Sequence, residues 1–253
     1  MEAWAASSPV GVDGVLLVQP LAAGHGTLVA TLGSWEAPVQ RGLLTALQSR
    51  YEVITAAEGI FSHPLDGLQA EGFQACHRQE WCNTLAATDY ATGQRAEADL
   101  SPWAPGDWEE AATLVCLAHE ALPSGLLLAW PAVPSRANLL TVLRRLVAED
   151  ENFLPGASFV ARAGGRLVGV VWLQRTDQGP LLYELAVLPV ARGGGVARKL
   201  IRAAQRALLE MGETRMWFST SAENVDVHRL YVDAEVTRHS VQRLAVWISP
   251  RLA

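Results

Sequence analysis

The segment Arg192-Gly193-Gly194-Gly195-Val196-Ala197 constrains this chain more than any other, because it follows an apolar strand pattern and opens a basic amphipathic helix. Three successive glycines let another group approach the backbone closely and leave its amides unshielded. Amides at a helix start have no partner inside the helix, so they attract phosphate oxygens. The turn reads as a pyrophosphate cradle, and it demands a strand before it and a helix after it.

The surrounding pattern supplies both. Asp107 followed by Glu110 fits a helix-start capping arrangement, and Ala111, Leu114, Val115, Ala118 and Leu122 mark one helical face. A second helix is predicted over 136–149, burying Leu139, Leu140, Leu143, Leu146 and Val147. Two strand patterns, 158–163 and 167–173, flank Gly164-Gly165 and predict a hairpin. A strand over 181–188, bounded by Pro180 and Pro189, enters the glycine turn. The helix after it turns Ala197, Leu200, Ile201, Ala204, Leu208 and Met211 inward and stops at Gly212. A strand at 216–221, a short helix at 225–232 and a strand within 238–249 complete the order ααβββαβαβ, an α/β class with a mixed sheet. Residues 87–101 lack a sustained apolar period. The expected organisation is therefore a first part at 1–90, a linker at 91–101 and a second part at 102–253.

That order, with its motifs in register, resembles the GNAT superfamily of acetyl-CoA-dependent N-acetyltransferases over about residues 98–250. Arg192, Gly195 and Ala197 satisfy the family's phosphate-loop pattern, and Asn224 followed by Leu230-Tyr231 satisfies its second signature. The chain departs from the family after Leu-Tyr, where Ala234-Glu235-Val236 stands in place of a Gly-Phe pair. The resemblance implies the GNAT fold, acetyl-CoA as cofactor, and direct transfer of the acetyl group to a primary amine of a small molecule or peptide within a ternary complex. The backbone of Leu185, Ala186 and Val187 would pair with the pantetheine arm, the Val187 amide donating to the thioester oxygen. Residues Arg192, Gly193, Gly194, Gly195, Val196 and Ala197 would hold the pyrophosphate. Tyr231 is the candidate general acid, against a role as a packed aromatic. Asn224 would contact the cofactor or hold its splayed strands, or cap a helix. Glu184 is the candidate base, directly or through water, against a surface or substrate-anchoring carboxylate. His228 could assist, although His63 stands at the same offset in the first part and favours a structural hydrogen bond.

An internal repeat is visible. Arg50 to Glu58 lines up with Arg215 to Glu223, and Leu65 with Leu230. Gly14 to Pro20 resembles the strand before the loop, with Ala23-Gly24-His25-Gly26 at the loop position and no length before residue 14 for the family's first elements. This copy lacks the loop arginine, has Gly59 opposite Asn224 and Asp66 opposite Tyr231, and retains Gly72-Phe73. It reads as a truncated, catalytically silent GNAT-like half, or as an unrelated α/β lid.

Composition bounds the rest. A formal charge of −6 disfavours nonspecific nucleic-acid binding. No apolar run reaches the roughly 20 residues that cross a bilayer, so a cytoplasmic protein with no membrane partner is expected. The three cysteines suit free thiols, and Cys76-His77 and Cys82 lack zinc-site spacing, so no metal is expected. Trp130 and Trp172 line a pocket or fill a core. Arg198, Lys199, Arg202 and Arg206 attract an anion or form a solvated face. Monomer and homodimer both remain compatible. A noncatalytic CoA-binding or protein-interaction module is the competing reading.

Overall fold

A computed structural model describes residues 1–8, 11–20, 25–33, 35–51, 53–86, 98–120, 151–234 and 236–250. The chain forms two compact units, one from Met1–Arg78 with the residues from Val241 onward, the other from the described parts of Gln79–Leu127 and Ser135–Ser240.

The first unit opens with an antiparallel meander of β1 (Glu2–Ser8), β2 (Gly11–Pro20) and β3 (His25–Gly33). Helix α1 (Ala37–Arg50) buries Leu43, Leu44 and Leu47, which share a face by helical period. The chain returns as β4 (Val53–Ala57), parallel to β3, and passes a 3-10 turn at Leu65–Glu71 into β5 (Gln74–Thr84). The carboxyl-terminal strand β11 (Thr237–Ile248) pairs antiparallel with β4, Leu244 opposite Ala57 and Ile248 opposite Val53. Its Ala245 and Trp247 join Leu16, Leu28, Leu44 and Ile54 in the core of this unit.

In the second unit, β6 (Asp99–Pro102) and α2 (Trp108–Glu120) precede the hairpin of β7 (Phe159–Ala163) and β8 (Arg166–Thr176), whose turn residues Gly164 and Gly165 have φ of 55° and 77°. Then come β9 (Gly179–Val187), α3 (Val196–Glu210), β10 (Arg215–Ser221) and α4 (Val225–Asp233). Strand order is β11, β5, β10, β9, β8, β7, β6, with the residues of β11 and β5 that belong to this unit at one side. Helix α3 buries Val196, Leu200, Ile201, Ala204 and Leu208. Met211 lies beyond its end and is exposed instead. The approach of α3 to β8 is tight at Gly169, where a Cβ would lie 2.9 Å from Val196 Cγ1 and 3.0 Å from Leu200 Cδ1.

Three further expectations are corrected. The division at 1–90 and 102–253 gives way to breaks at Arg78/Gln79 and Ser240/Val241, so the final strand of each half contributes residues to the other unit. The physical reason is burial: Trp81 and Leu85 pack in the core around α3, while Leu244 and Val246 pack with Val53 and Ala57. The linker assigned to 91–101 ends in a strand, because Asp99–Pro102 pairs antiparallel with β7; residues 87–97 and the helix expected at 136–149 lie outside the described residues. Finally, the order β1-β2-β3-α1-β4-turn-β5 recurs as β7-β8-β9-α3-β10-α4-β11. The counterpart of β9 is thus β3, not 14–20; Ala23 and Gly24 lie outside the described residues, His25 and Gly26 open β3, and the residues before 14 hold β1.

Candidate active site

The site begins with a bulge. Opposite β8, Trp172 pairs with Glu184 and Leu173 with Leu182, so Tyr183 is an extra residue in β9. Leu182 belongs to the core built on α3, whereas Glu184, two residues on, reaches His119 of α2. The insertion reverses the side-chain alternation and turns a carboxylate to the α2 face.

Beyond the bulge β9 loses its other neighbour. It pairs with β10 only at Leu181–Trp217 and Leu182–Phe218, so the parallel ladder ends where Glu184 begins. Which groups face the resulting wedge follows from the ladder with β8. The Leu188 amide donates to the Val168 carbonyl at 3.0 Å, and antiparallel pairs alternate between bonded and non-bonded. Leu185 and Val187, opposite Val171 and Gly169, therefore direct their N–H and C=O groups away from β8, and Ala186 directs its own toward Val170. Of the three residues expected to offer backbone groups, Ala186 is corrected: its groups complete the β8 ladder.

The wedge leads into the glycine turn. A 3-10 segment at Pro189–Ala191 delivers Arg192, whose amide donates to the Pro189 carbonyl. Gly193 and Gly195 adopt φ of 79° and 81°, a region costly for any residue with a Cβ, and Gly195 is the N-cap of α3 without a side-chain cap bond. The first amides of α3, those of Val196, Ala197 and Arg198, have no acceptor within the helix. The Arg192 side chain has another task. Its Nε donates to the Val187 carbonyl at 3.1 Å and its Nη2 to the Ala118 carbonyl at 2.9 Å, stapling the end of α2 to the end of β9.

That staple brings His119 to the wedge. Its Nε2 lies 3.2 Å from Glu184 Oε2, and the two residues are 9% and 4% exposed. Burial alone would lower the histidine pKa; the adjacent Glu184 charge and hydrogen bond outweigh it, against opposition from Arg192, and hold the imidazole above its usual range. Tyr231, on α4, is 2% exposed, with its ring 4.8 Å from that of Phe218 and 5.8 Å from that of Trp81. Burial, and then the negative charge of Glu184, push its phenol far above the ordinary value. Glu184, Tyr231 and His119 thus share one electrostatic neighbourhood.

Other candidates take structural places. Asn224 is the N-cap of α4, accepting from the Val227 amide at 3.3 Å. His228 Nε2 bonds the Ser221 carbonyl at 3.0 Å, in line with a structural role. Trp172 is fully buried, edge-on to Trp103, and fills the core; Trp130 lies outside the described residues. Arg198 bonds Asp233, and Lys199 donates to the Ala98 carbonyl. No disulfide joins Cys76, Cys82 or Cys116. Among the described residues no three metal-ligating side chains cluster, and no helix is long and apolar enough to cross a membrane. Sequence reasoning missed His119 and Trp81. His119 lies four residues after Val115 on the apolar stripe of α2, a polar break that marked it; Trp81 carried no signal, because its neighbours come from the strand exchange.

The counterpart turn of the first unit is built differently. There β3 and β4 pair over four residues, His25–Val53 to Leu28–Ala56, and Glu36 with Pro38 opens α1. A carboxylate beside the helix start and a missing N–H remove the features that attract an anion.

Residues 127–233 match the acetyltransferase (GNAT) family. The fold is that of GNAT proteins. A GCN5-related N-acetyltransferase from Sphaerobacter thermophilus is similar over 98% of this chain and 80% of its own, with TM-score 0.64 and 15% identity. A tandem GNAT protein from the clavulanic acid biosynthesis pathway is similar over 98% and 82%, with TM-score 0.56 and 14% identity. A putative GNAT-family acetyltransferase from Novosphingobium aromaticivorans is similar over 86% and 82%, with TM-score 0.54 and 15% identity. No curated protein matches the sequence.

Proposed function

We propose that the chain is an N-acetyltransferase that binds acetyl-CoA in its second unit and acetylates a primary amine of a small molecule or peptide by direct attack in a ternary complex. The observation that carries this reading is the two-pair ladder of β9 and β10, which opens a strand edge leading straight into the glycine turn, with Glu184 and Tyr231 at the opening. The fit is chemical: outward-directed groups of Leu185 and Val187 suit the amides of a pantetheine arm, and the Val196 and Ala197 amides, which have no acceptor within the helix, suit a pyrophosphate. Gly193, Gly194, Gly195, Val196 and Ala197 hold the phosphates by their backbone, while Arg192 fixes the frame around them. Asn224 supports the wedge by capping the helix that carries Tyr231.

When bound, acetyl-CoA supplies an acetyl group activated as a thioester, which the amine nitrogen takes as the thiolate departs. Glu184 draws the proton from the acceptor ammonium, directly or through water, and so frees the attacking lone pair. The Val187 amide donates to the carbonyl oxygen as negative charge gathers there. Tyr231 keeps its proton across physiological pH and donates it to the departing sulfur, and the proton released by the acylated nitrogen restores the phenol. One proton is left for solvent. The first unit is a silent GNAT-like half, a reading supported by the repeated element order and the altered counterpart turn.

Calorimetry with acetyl-CoA, followed by thiol release with a panel of amines, tests the reading. Binding in the micromolar range and turnover with at least one amine are expected; a folded chain that binds no acetyl-CoA overturns it. The deep burial of Tyr231 and Glu184 favours a second reading, a noncatalytic CoA-binding or protein-interaction module. Binding without turnover, unaffected by Tyr231→Phe, selects that one.

A further inference from the structure

Glu184 is an awkward base by itself, since a free carboxylate with a pKa of about 4.3 has little affinity for a proton at neutral pH. Its position against His119 suggests a different division of labour. An ionised carboxylate only accepts hydrogen bonds, so the 3.2 Å contact is a bond donated by Nε2–H of His119. That fixes the neutral imidazole as the tautomer whose lone pair is on Nδ1. The backbone restricts the ring further: the carbonyl of the preceding residue, Ala118, is held by Arg192, which also holds Val187 at the wedge. A carboxylate that orients an imidazole and stabilises its protonated form is the arrangement that makes histidine an effective proton acceptor.

We propose, building on the acetyltransferase reading, that His119 Nδ1 is the atom that takes the proton from the acceptor ammonium, and that Glu184 is the positioning residue behind it. The step balances simply. One N–H bond of the ammonium breaks, its electron pair stays on the amine nitrogen, and the proton bonds to Nδ1, giving an imidazolium whose Nε2–H remains on the Glu184 carboxylate. After transfer of the acetyl group, the imidazolium returns this proton to solvent. The charged and titratable groups that act on the pair include Glu184 on β9, Arg192 in the turn that follows it, and Tyr231 on α4, which feels the Glu184 charge; Cys116 lies one turn before His119 on α2. Glu184 supports the imidazolium and Arg192 opposes it.

The experiment combines NMR titration of the labelled His119 imidazole in the free full-length protein, pH profiles of kcat/KM, and acetyl-CoA calorimetry, on wild type, His119→Asn and Glu184→Gln. In the wild type the His119 signals are expected to titrate above the ordinary histidine value of 6.5, and to move down in Glu184→Gln as burial loses its counterweight. The acid limb of kcat/KM should follow the same shift. His119→Asn should lose that limb and about 10²- to 10⁴-fold in kcat, the span of positioned acid–base catalysis, with acetyl-CoA affinity within about twofold of wild type. A kcat loss with the acid limb unmoved would make His119 structural and overturn the proposal. So would activity retained in His119→Asn and lost in Glu184→Gln, which would return the base to the carboxylate. If His119→Asn does not fold, the wild-type titration and the Glu184→Gln limb decide alone. Calorimetry separates the two levels: no acetyl-CoA binding by the wild type sinks the acetyltransferase reading itself, whereas binding with an unmoved limb sinks only the role of His119.

Discussion

Tyr231 and Glu184 stood out as candidates because each is placed relative to a signature: Tyr231 closes the Asn224 motif, and Glu184 lies on the strand entering the glycine turn. His119 did not, because its partner is 65 positions away and only the packing of α2 on β9 joins them. Ala186 failed for a subtler reason. The phase of a strand's hydrogen bonds depends on its pairing, which no residue type announces. Tyr231→Phe keeps the packing against Phe218 and Trp81 while removing the proposed donor to the departing sulfur. We expect kcat to fall about 100-fold or more, the lower range for positioned acid catalysis, with acetyl-CoA affinity unchanged; steady-state kinetics and calorimetry check it. The His119–Glu184 pair also links stability to pH. A histidine pKa raised on folding means that the native state binds its proton more tightly, so the contribution is full below the unfolded value and fades as pH rises through the folded one. Urea denaturation of wild type and Glu184→Gln should give a stability gap that is largest near pH 5.5 to 6 and shrinks toward pH 8.

At the scale of elements, periodicity carried far. The hairpin, β9, α3, β10 and α4 lie within a few residues of their predicted positions, since each pattern runs long enough to set its own period. Strand β6 escaped because it has four residues and ends in proline, so in isolation it looks like a turn. The bulge at Tyr183 was equally invisible, although it decides which face Glu184 takes. The contact of α3 with β8 gives a prediction of its own. Gly169→Ala would place a methyl within 3.0 Å of both Val196 and Leu200, at the very start of the helix whose first amides face the proposed pyrophosphate site. Overpacking of this kind costs about 1–3 kcal/mol. Acetyl-CoA affinity should fall along with the melting temperature, because the strained contact sits next to the glycine turn. Gly195→Ala strains a left-handed residue by about 1–2 kcal/mol, and calorimetry should show weaker acetyl-CoA binding there as well.

For the molecule as a whole, the repeat was readable and the ownership of its last strands was not. Local patterns identify a strand but do not say which neighbour it will choose. Trp81 belongs by sequence to the first half, yet its ring packs beside Tyr231 and His228. Trp81→Ala should therefore destabilise the second unit by about 3–5 kcal/mol and lower turnover through Tyr231, an effect that hydrogen exchange in α4 and β10 would reveal. For the same reason residues 102–253 expressed alone should fail to fold, lacking Trp81 of β5 and Leu85 just after it. The crossing of β11 has a counterpart during synthesis. Proteins generally mature from the amino terminus as they leave the ribosome. Here the unit built on β1 to β4 cannot close its core until Leu244 to Trp247, nearly two hundred residues further along, have also been translated. Damage to β11 would therefore be felt in a unit whose other strands were laid down far earlier in the polypeptide.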